Sequence, residues 1–272
     1  MFLKDIVMVE ENILKITFGL ITDGKNDNRL LQIIKSIQSL EIEFFEILVV
    51  GNSKINLEGV RIVNFTESPH GAWITKKKNL ITLLAQYDTI VYSHDYFVFD
   101  KLWFIEFSNM DNFDVAMCAI KSPDGARYRD WTLWPHNGNL MDLLVIGHRC
   151  LMPYSITHLK EFMYISGGFW IADKQFMLSN PLDENLFAGQ SEDVEWSMRI
   201  RKHARYLISH KAVVYSLKDN PRVMRDSGPM LSGILWMGQN KYFKAMLKIK
   251  ISPKFLAFCN FIFNRVHRIV RI

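Results

Sequence analysis

The sequence predicts an α/β fold, a largely parallel sheet with helices on both faces. Three observations lead there. Apolar runs of strand length recur through the first hundred residues, each stopped by a polar cluster. Apolar residues at helical spacing fill the stretches between them. The chain has 272 residues, 49% hydrophobic and 22% charged. That is enough to bury one large core, with room for a small appendage.

Residues 13–22 read as a buried strand ending at the polar turn Asp23-Gly24-Lys25-Asn26-Asp27. Leu30, Leu31, Ile33, Ile34, Ile37 and Leu40 then mark a helix. Phe45 to Val50 is a second strand, stopped by Gly51-Asn52-Ser53, and Val60 to Phe65 is a third. Lys76 to Gln86 reads as a helix, and Thr89 to Ser93 as a fourth strand ending at His94-Asp95-Tyr96. Ligands of such sheets bind beyond the carboxyl ends of the strands. The polar clusters at 22–27, 51–53 and 94–96 are therefore expected to meet in one crevice. After Ile120 the pattern breaks. Residues 121–154 are polar and aromatic, a long irregular stretch of the kind that forms functional loops. Tyr164 to Asp173 reads as one further strand containing Gly167-Gly168, where another backbone can approach closely.

Several classes are excluded. The three cysteines are far apart and form no C-x-x-C pair, against a disulfide framework or zinc site and in keeping with a reducing compartment. Met1 to Glu11 is too polar for a secretion signal, and no apolar run is long enough to span a bilayer. Residues 227–272 hold eight Lys/Arg and no Asp or Glu; without those eight the net charge falls from +5 to −3. The body is thus acidic and carries no nucleic-acid reader motif, so nucleic acid is not an expected partner. In the tail, Phe255, Phe258, Cys259, Ile262, Phe263, Val266, Ile269 and Val270 share a helical stripe opposite Lys254, Arg265, Arg268 and Arg271. This basic amphipathic pattern suits a membrane interface, or a terminal helix docked on the body.

The segment Gly189 to Arg199 is the richest in chemistry. Glu192, Asp193 and Glu195 open a helical pattern beside Trp196. Acids favour a helix N-terminus, but three of them with a tryptophan point to a carboxylate aimed into a pocket. Such a group can take the proton of a hydroxyl nucleophile. Asp95, at a strand end, can hold a divalent metal or cap a turn. Asp23 and Asn52 can bind a base or ribose, or serve turn chemistry. Among Lys76, Lys77 and Lys78 one is expected at phosphate and at least two on a solvated face. Asn79 needs a partner if buried. Arg127, Arg129, Asp130, Trp131 and Trp134 suggest a sugar-stacking acceptor platform, or a loop packed by its own rings.

In order and spacing these motifs resemble a bacterial GT-A glycosyltransferase of the family-2-like group, from about Ile13 to Leu217. The resemblance rests on the strand-turn-helix opening, Lys76-Lys77-Lys78-Asn79, Asp95, Gly167-Gly168 and Glu192-Asp193. It implies a GT-A domain over 1–226, with a mixed, Rossmann-like nucleotide-binding sheet, and a basic tail over 227–272. It also implies sugar transfer, by an inverting hexosyltransferase, from a nucleotide-sugar, first a UDP-sugar, to a saccharide or lipid-linked acceptor. Thr22, Asp23 and Asn52 would hold base and ribose, and Lys78 and Asn79 the phosphates. His94 and Asp95 would hold Mn²⁺ or Mg²⁺ and the donor. Asp193 would be the base and Glu192 its support. Arg127, Asp130, Trp131, Trp134, Gly167, Gly168 and Trp196 would meet the acceptor. The pathway implied is surface polysaccharide or glycan synthesis at the cytoplasmic face of the membrane, with peripheral contact through the tail. Two departures stand out: the D-x-D position reads His94-Asp95-Tyr96, and Gly51 replaces the acid usual after the second strand. His210 is the nearest candidate for a downstream ligand. The alternatives are a non-catalytic membrane-associated nucleotide-sugar or glycan-binding protein and, lower, a nucleotidyltransferase. The latter would carry a Gly-rich loop after the first strand, which Asp23-Gly24-Lys25-Asn26 matches poorly.

Overall fold

The computed structural model describes residues 14–110, 112–133, 150–154, 160, 163–218 and 225–226, with 252, 254, 255, 258 and 259 of the tail. Strand β1 (Ile16–Ile21) is buried at every position. It lies between β2 (Phe45–Val50) and β4 (Thr89–His94), parallel to both, and β3 (Val60–Val63) adds a parallel edge beside β2. A strand covered on both faces is near-continuously apolar, which is why this run shows no alternation; its one polar side chain, Thr17, donates to Glu46 Oε1 at 2.8 Å. Helix α1 (Asp27–Gln38) starts at Asn26, whose side chain accepts from Arg29 N, and buries Leu30, Ile33, Ile34 and Ile37. Asp27 in its first turn and Lys35 in its last match the helix dipole. Helix α2 (Ile74–Leu84) covers the opposite face. Phe18 and Leu20 pack toward α1, and Ile21 packs in the second core with Ile81 of α2.

Beyond β4 the sheet turns mixed. Strand β10 (Phe169–Asp173) runs antiparallel between β4 and β6 (Val115–Lys121). Strand β11 (Tyr206–Ser216) is parallel to β6, and β5 (Phe97–Phe99) closes the edge antiparallel. The order is β3-β2-β1-β4-β10-β6-β11-β5. Short helices α3 (Trp103–Ser108) and α4 (Lys174–Ser179) precede α5 (Glu192–Ile200), the helix that carries the acids. The single strand expected over Tyr164–Asp173 is two. Strand β9 (Met163–Ile165) belongs to a second sheet, ordered β12 (Arg225–Asp226), β8 (Cys150–Leu151), β7 (Trp131–Leu133), β9. The chain turns at Gly167-Gly168 to enter β10.

The second sheet also corrects the expected acceptor platform. Trp131 is 0% exposed and meets Tyr206 edge to face in the core. Trp196 is 1% exposed, stacks on Trp170 with ring centres 5.3 Å apart, and donates from Nε1 to Asn180 O. Neither ring is free to stack on a sugar. Asp130, fully buried, accepts from Arg127 Nε at 2.8 Å and from Ile120 N at 3.2 Å. It also accepts from Tyr154 Oη and Trp131 N. Arg127 lies 3.8 Å from the Tyr154 ring centre. Arg127 and Asp130 are therefore a lock on the turn into β7, and Trp134 lies outside the described residues. So does nearly all of the tail, and with it the amphipathic helix read there. Among the described residues, no helix is long and apolar enough to cross a membrane.

Removing one partner of a buried pair leaves the other charge uncompensated. Asp130→Ala is expected to lower the unfolding free energy by about 3–5 kcal/mol, read from urea titrations. A loss inside the ordinary surface range would show that Asp130 is not a lock.

Candidate active site

The crevice forms where the strand tips meet. Thr22, just past β1, donates from Oγ1 to Asp95 Oδ2 at 2.7 Å across 73 residues of sequence. Gly24, with φ +75°, packs its Cα against the Asn52 backbone so closely that a Cβ would sit 1.6 Å from Asn52 O. The three polar clusters thus converge, as expected. Asp23 and Asn52 present polar side chains at this end, Asp23 paired with the exposed Lys25 at 2.9 Å.

Beside these tips lies a cavity of 440 Å³, within the usual size for small-ligand sites. His94, Tyr96 and Phe97 come from the β4–β5 corner, and Ser166, Gly167 and Gly168 from the β9–β10 turn. Tyr128, Arg129 and Tyr164 form another wall, and Lys218 enters after β11. Ser191, Glu192, Asp193 and Val194 bring the start of α5. Asp193 Oδ2 accepts from Gly167 N at 2.9 Å. A Cβ on Gly167 would lie 3.1 Å from Asp193 Cβ, and one on Gly168 would lie 2.8 Å from Tyr96 Oη. The glycine pair therefore admits the acid on one side and the tyrosine on the other. Glu192 is 9% exposed and Asp193 more open, so the latter presents the accessible carboxylate.

Below the floor lies Lys78, 1% exposed. Its Nζ donates to Gly167 O and sits 4.0 Å from the centre of the Trp170 ring. Burial pulls this ammonium down to about 7, while the charges of Glu192 and Asp193 hold it up. Burial, then the Asp193 charge, pushes Glu192 above the usual carboxylate range. The three groups form one buried charge cluster. Lys77 is also buried, donating to Thr22 O at 2.7 Å and to Glu67. Two of the three lysines are thus interior, against the solvated face expected for them. A helix wedged against the sheet at the crevice end leaves them no route to bulk water. Asn79 is spent elsewhere: its amide brackets Leu182 N and O at 3.0 and 2.9 Å and reaches Glu184.

His94 and Asp95 do not fit a divalent cation. Asp95 is 7% exposed and both carboxylate oxygens are taken, Oδ2 by Thr22 and Oδ1 by Arg29 Nη2 at 3.1 Å. Arg29 Nε also holds Asp95 O. Burial, then the charges of Lys78 and Lys218, push His94 well below its usual range. Among the described residues no group of three or more His, Cys, Asp or Glu is placed to hold a metal. His210 stacks on Tyr154, with ring centres 5.8 Å apart.

The cavity brings together His94, Gly167, Gly168, Glu192 and Asp193, and Asp95, next in sequence to His94, is bonded to Thr22. Sequence reading missed Arg29, Tyr128, Tyr164 and Lys218. Arg29 alone left a trace, as a cation in the first helical turn after a polar strand end.

No protein-family profile and no curated protein sequence matches the chain. Solved structures do. Staphylococcus aureus TarS 1–349 matches at 14% identity and TM-score 0.51, over 75% of this chain and 60% of that one. The same protein in complex with UDP-GlcNAc matches at 13% identity and TM-score 0.53, over 77% and 60%. GalNAc-T7 with UDP, GalNAc and Mn²⁺ matches at 13% identity and TM-score 0.53, over 79% and 46%. The chain thus spans 60% or less of these proteins' length. At such identities the likeness is one of fold, the GT-A arrangement.

Lys78 has a measurable signature. The unfolded chain keeps that proton up to the ordinary lysine range near 10.5, while the folded protein releases it near 7. Between those values the unfolded state binds more protons, so stability rises with pH. The slope is at most about 1.4 kcal/mol per pH unit. Urea midpoints from pH 7 to 10 should climb in the wild type, and Lys78→Met should remove this contribution. An unchanged slope in the variant would assign it to other groups.

Proposed function

We propose, on the premise of the GT-A glycosyltransferase fold, that this chain transfers a sugar from a nucleotide-sugar to an acceptor hydroxyl. The observation that supports this best is the position of Asp193, in the wall of a cavity that opens at the tip of β4, the strand beside β1. Base and ribose lie over Thr22, Asp23 and Asn52, and the sugar enters the cavity. UDP-sugars are the first donors to test, since TarS was solved with UDP-GlcNAc and GalNAc-T7 with UDP.

Each carboxylate oxygen of Asp193 keeps accepting capacity beyond its backbone bond. The acceptor O–H is held there and its oxygen attacks the anomeric carbon. The bond from that carbon to the distal phosphate oxygen breaks, and its electron pair stays on the phosphate. The proton passes to Asp193. The products are the glycoside and the nucleoside diphosphate, with inversion at carbon for a single displacement. Glu192 and Lys78 hold the charge balance beneath. The acceptor, a saccharide or lipid-linked glycan, enters past Tyr128, Arg129 and Tyr164, taking the place of the buried tryptophans. Bacterial surface-glycan synthesis at the inner membrane face is the setting this reading favours, with residues 227–272 as a peripheral contact.

Asp193→Asn is expected to cut transfer by about 10²–10⁴-fold, followed as nucleoside diphosphate released in the presence of acceptor. Calorimetric nucleotide affinity should persist, and parallel loss of both would remove the base role. Release by the wild type also separates transfer from non-catalytic binding. For the tail, truncation after Gly238 should abolish association with anionic liposomes; undiminished association would end that assignment.

A further inference from the structure

The departing nucleoside diphosphate gains negative charge as its bond to the sugar breaks, and something must meet it. The strand-end carboxylate that would recruit a metal ion is not available for the task. Asp95 is closed off by Thr22 on one oxygen and Arg29 on the other, and the Arg29 pair already neutralises its charge.

Fixed cations stand at the same place. Leu217 N donates to Tyr96 O at 2.7 Å, which pins the end of β11 against the β4–β5 corner. The next residue, Lys218, lays its Nζ 4.0 Å from the centre of the Tyr96 ring and lines the cavity. Arg129 lines it too, its Nη2 donating to Tyr164 Oη at 3.1 Å. Its backbone holds φ +25°, a conformation costly for a side chain with a Cβ. It is flanked by the Arg127–Asp130 ion pair, whose carboxylate is fully buried. Burial, then the charges of Arg129 and Arg29, lower the Lys218 ammonium, with Asp95 opposing. Lys218 and Arg129 thus stand beside the neutral Arg29–Asp95 pair, two cations at this corner of the cavity that Glu192 and Asp193 also line. A donor whose nucleoside lies on the strand tips and whose sugar reaches Asp193 must carry its phosphates across that corner.

We infer that Lys218, with Arg129 beside it, neutralises the donor's diphosphate directly, in the role that a carboxylate-held metal ion would otherwise fill. This rests on the nucleotide-sugar reading above and specifies how the leaving group is held. Arg29 serves it indirectly, by occupying Asp95.

The test is calorimetric titration of the full chain with UDP, GDP, CDP and dTDP, in EDTA and again in Mn²⁺. At least one nucleotide is expected to bind with the same affinity in both. For that nucleotide, Lys218→Gln and Arg129→Gln should each weaken binding by about tenfold or more, as loss of a hydrogen bond to a charged group implies. Lys218→Arg should recover most of the loss. The matching nucleoside without phosphate should bind wild type and Lys218→Gln alike. Lys218 is exposed at a strand end, so unchanged circular dichroism and melting should certify that variant's fold. Binding that needs Mn²⁺, or a Lys218→Gln protein that binds as the wild type, would overturn the inference and leave the transferase reading standing. No binding of any of the four in either condition would bring down both.

Discussion

A buried ammonium organises this molecule. Lys78 sits on α2, yet its charge is met by Gly167 O on the β9–β10 turn, by the Trp170 face on β10, and by Glu192 and Asp193 on α5. A lone cation in such a place would be expelled or neutralised. The acids at the start of α5 must therefore come to it, and the glycine turn must leave room for them. Tyr92, Trp170 and Trp196, stacked at 5.2 and 5.3 Å, supply the apolar wall that keeps water from the cluster.

The same cluster connects stability to chemistry. The start of α5 lacks a side-chain cap, and Ser191 takes a left-handed conformation instead. Asp193 still accepts from Val194 N at 2.9 Å through Oδ1, so one oxygen serves the first turn and the other Gly167 N. Glu192 is buried where its charge is felt by Lys78, and Asp193 is oriented by Gly167 N with its carboxylate on the cavity. A second device works on the opposite wall. The Arg127–Asp130 ion pair, with Asp130 fully buried and Arg127 partly so, flanks Arg129, whose backbone is strained and whose side chain lines the cavity. Rigid, satisfied polar networks behind the wall position the groups that face the ligand.

Much of the framework was legible in the sequence. Strand β2 was read with its observed bounds, and α1 with its buried face, because periodicity is a local property. The crevice was legible too, since polar clusters after parallel strands must share one end of the sheet. Composition misled where burial overrides residue type. Lysines 77 and 78 looked like a solvated face and are interior. Trp131 and Trp196 looked like a sugar platform and are core. Aromatic rings serve both purposes, and a sequence does not say which side of a sheet they will meet.

By itself the sequence determined the alternation of strands and helices, the end of the sheet where ligands gather, and the acids that open α5. Those are consequences of residue spacing along a few turns of chain. Only the tertiary structure decided that Asp95 is closed by Arg29, that Lys78 is buried under the acids, and that Lys218 and Arg129 face the cavity. Each depends on segments from 66 to 89 residues apart in the first two cases, and on how β11 and β7 close beside β4. Contacts across such separations are set by how whole layers pack, and no local pattern encodes them.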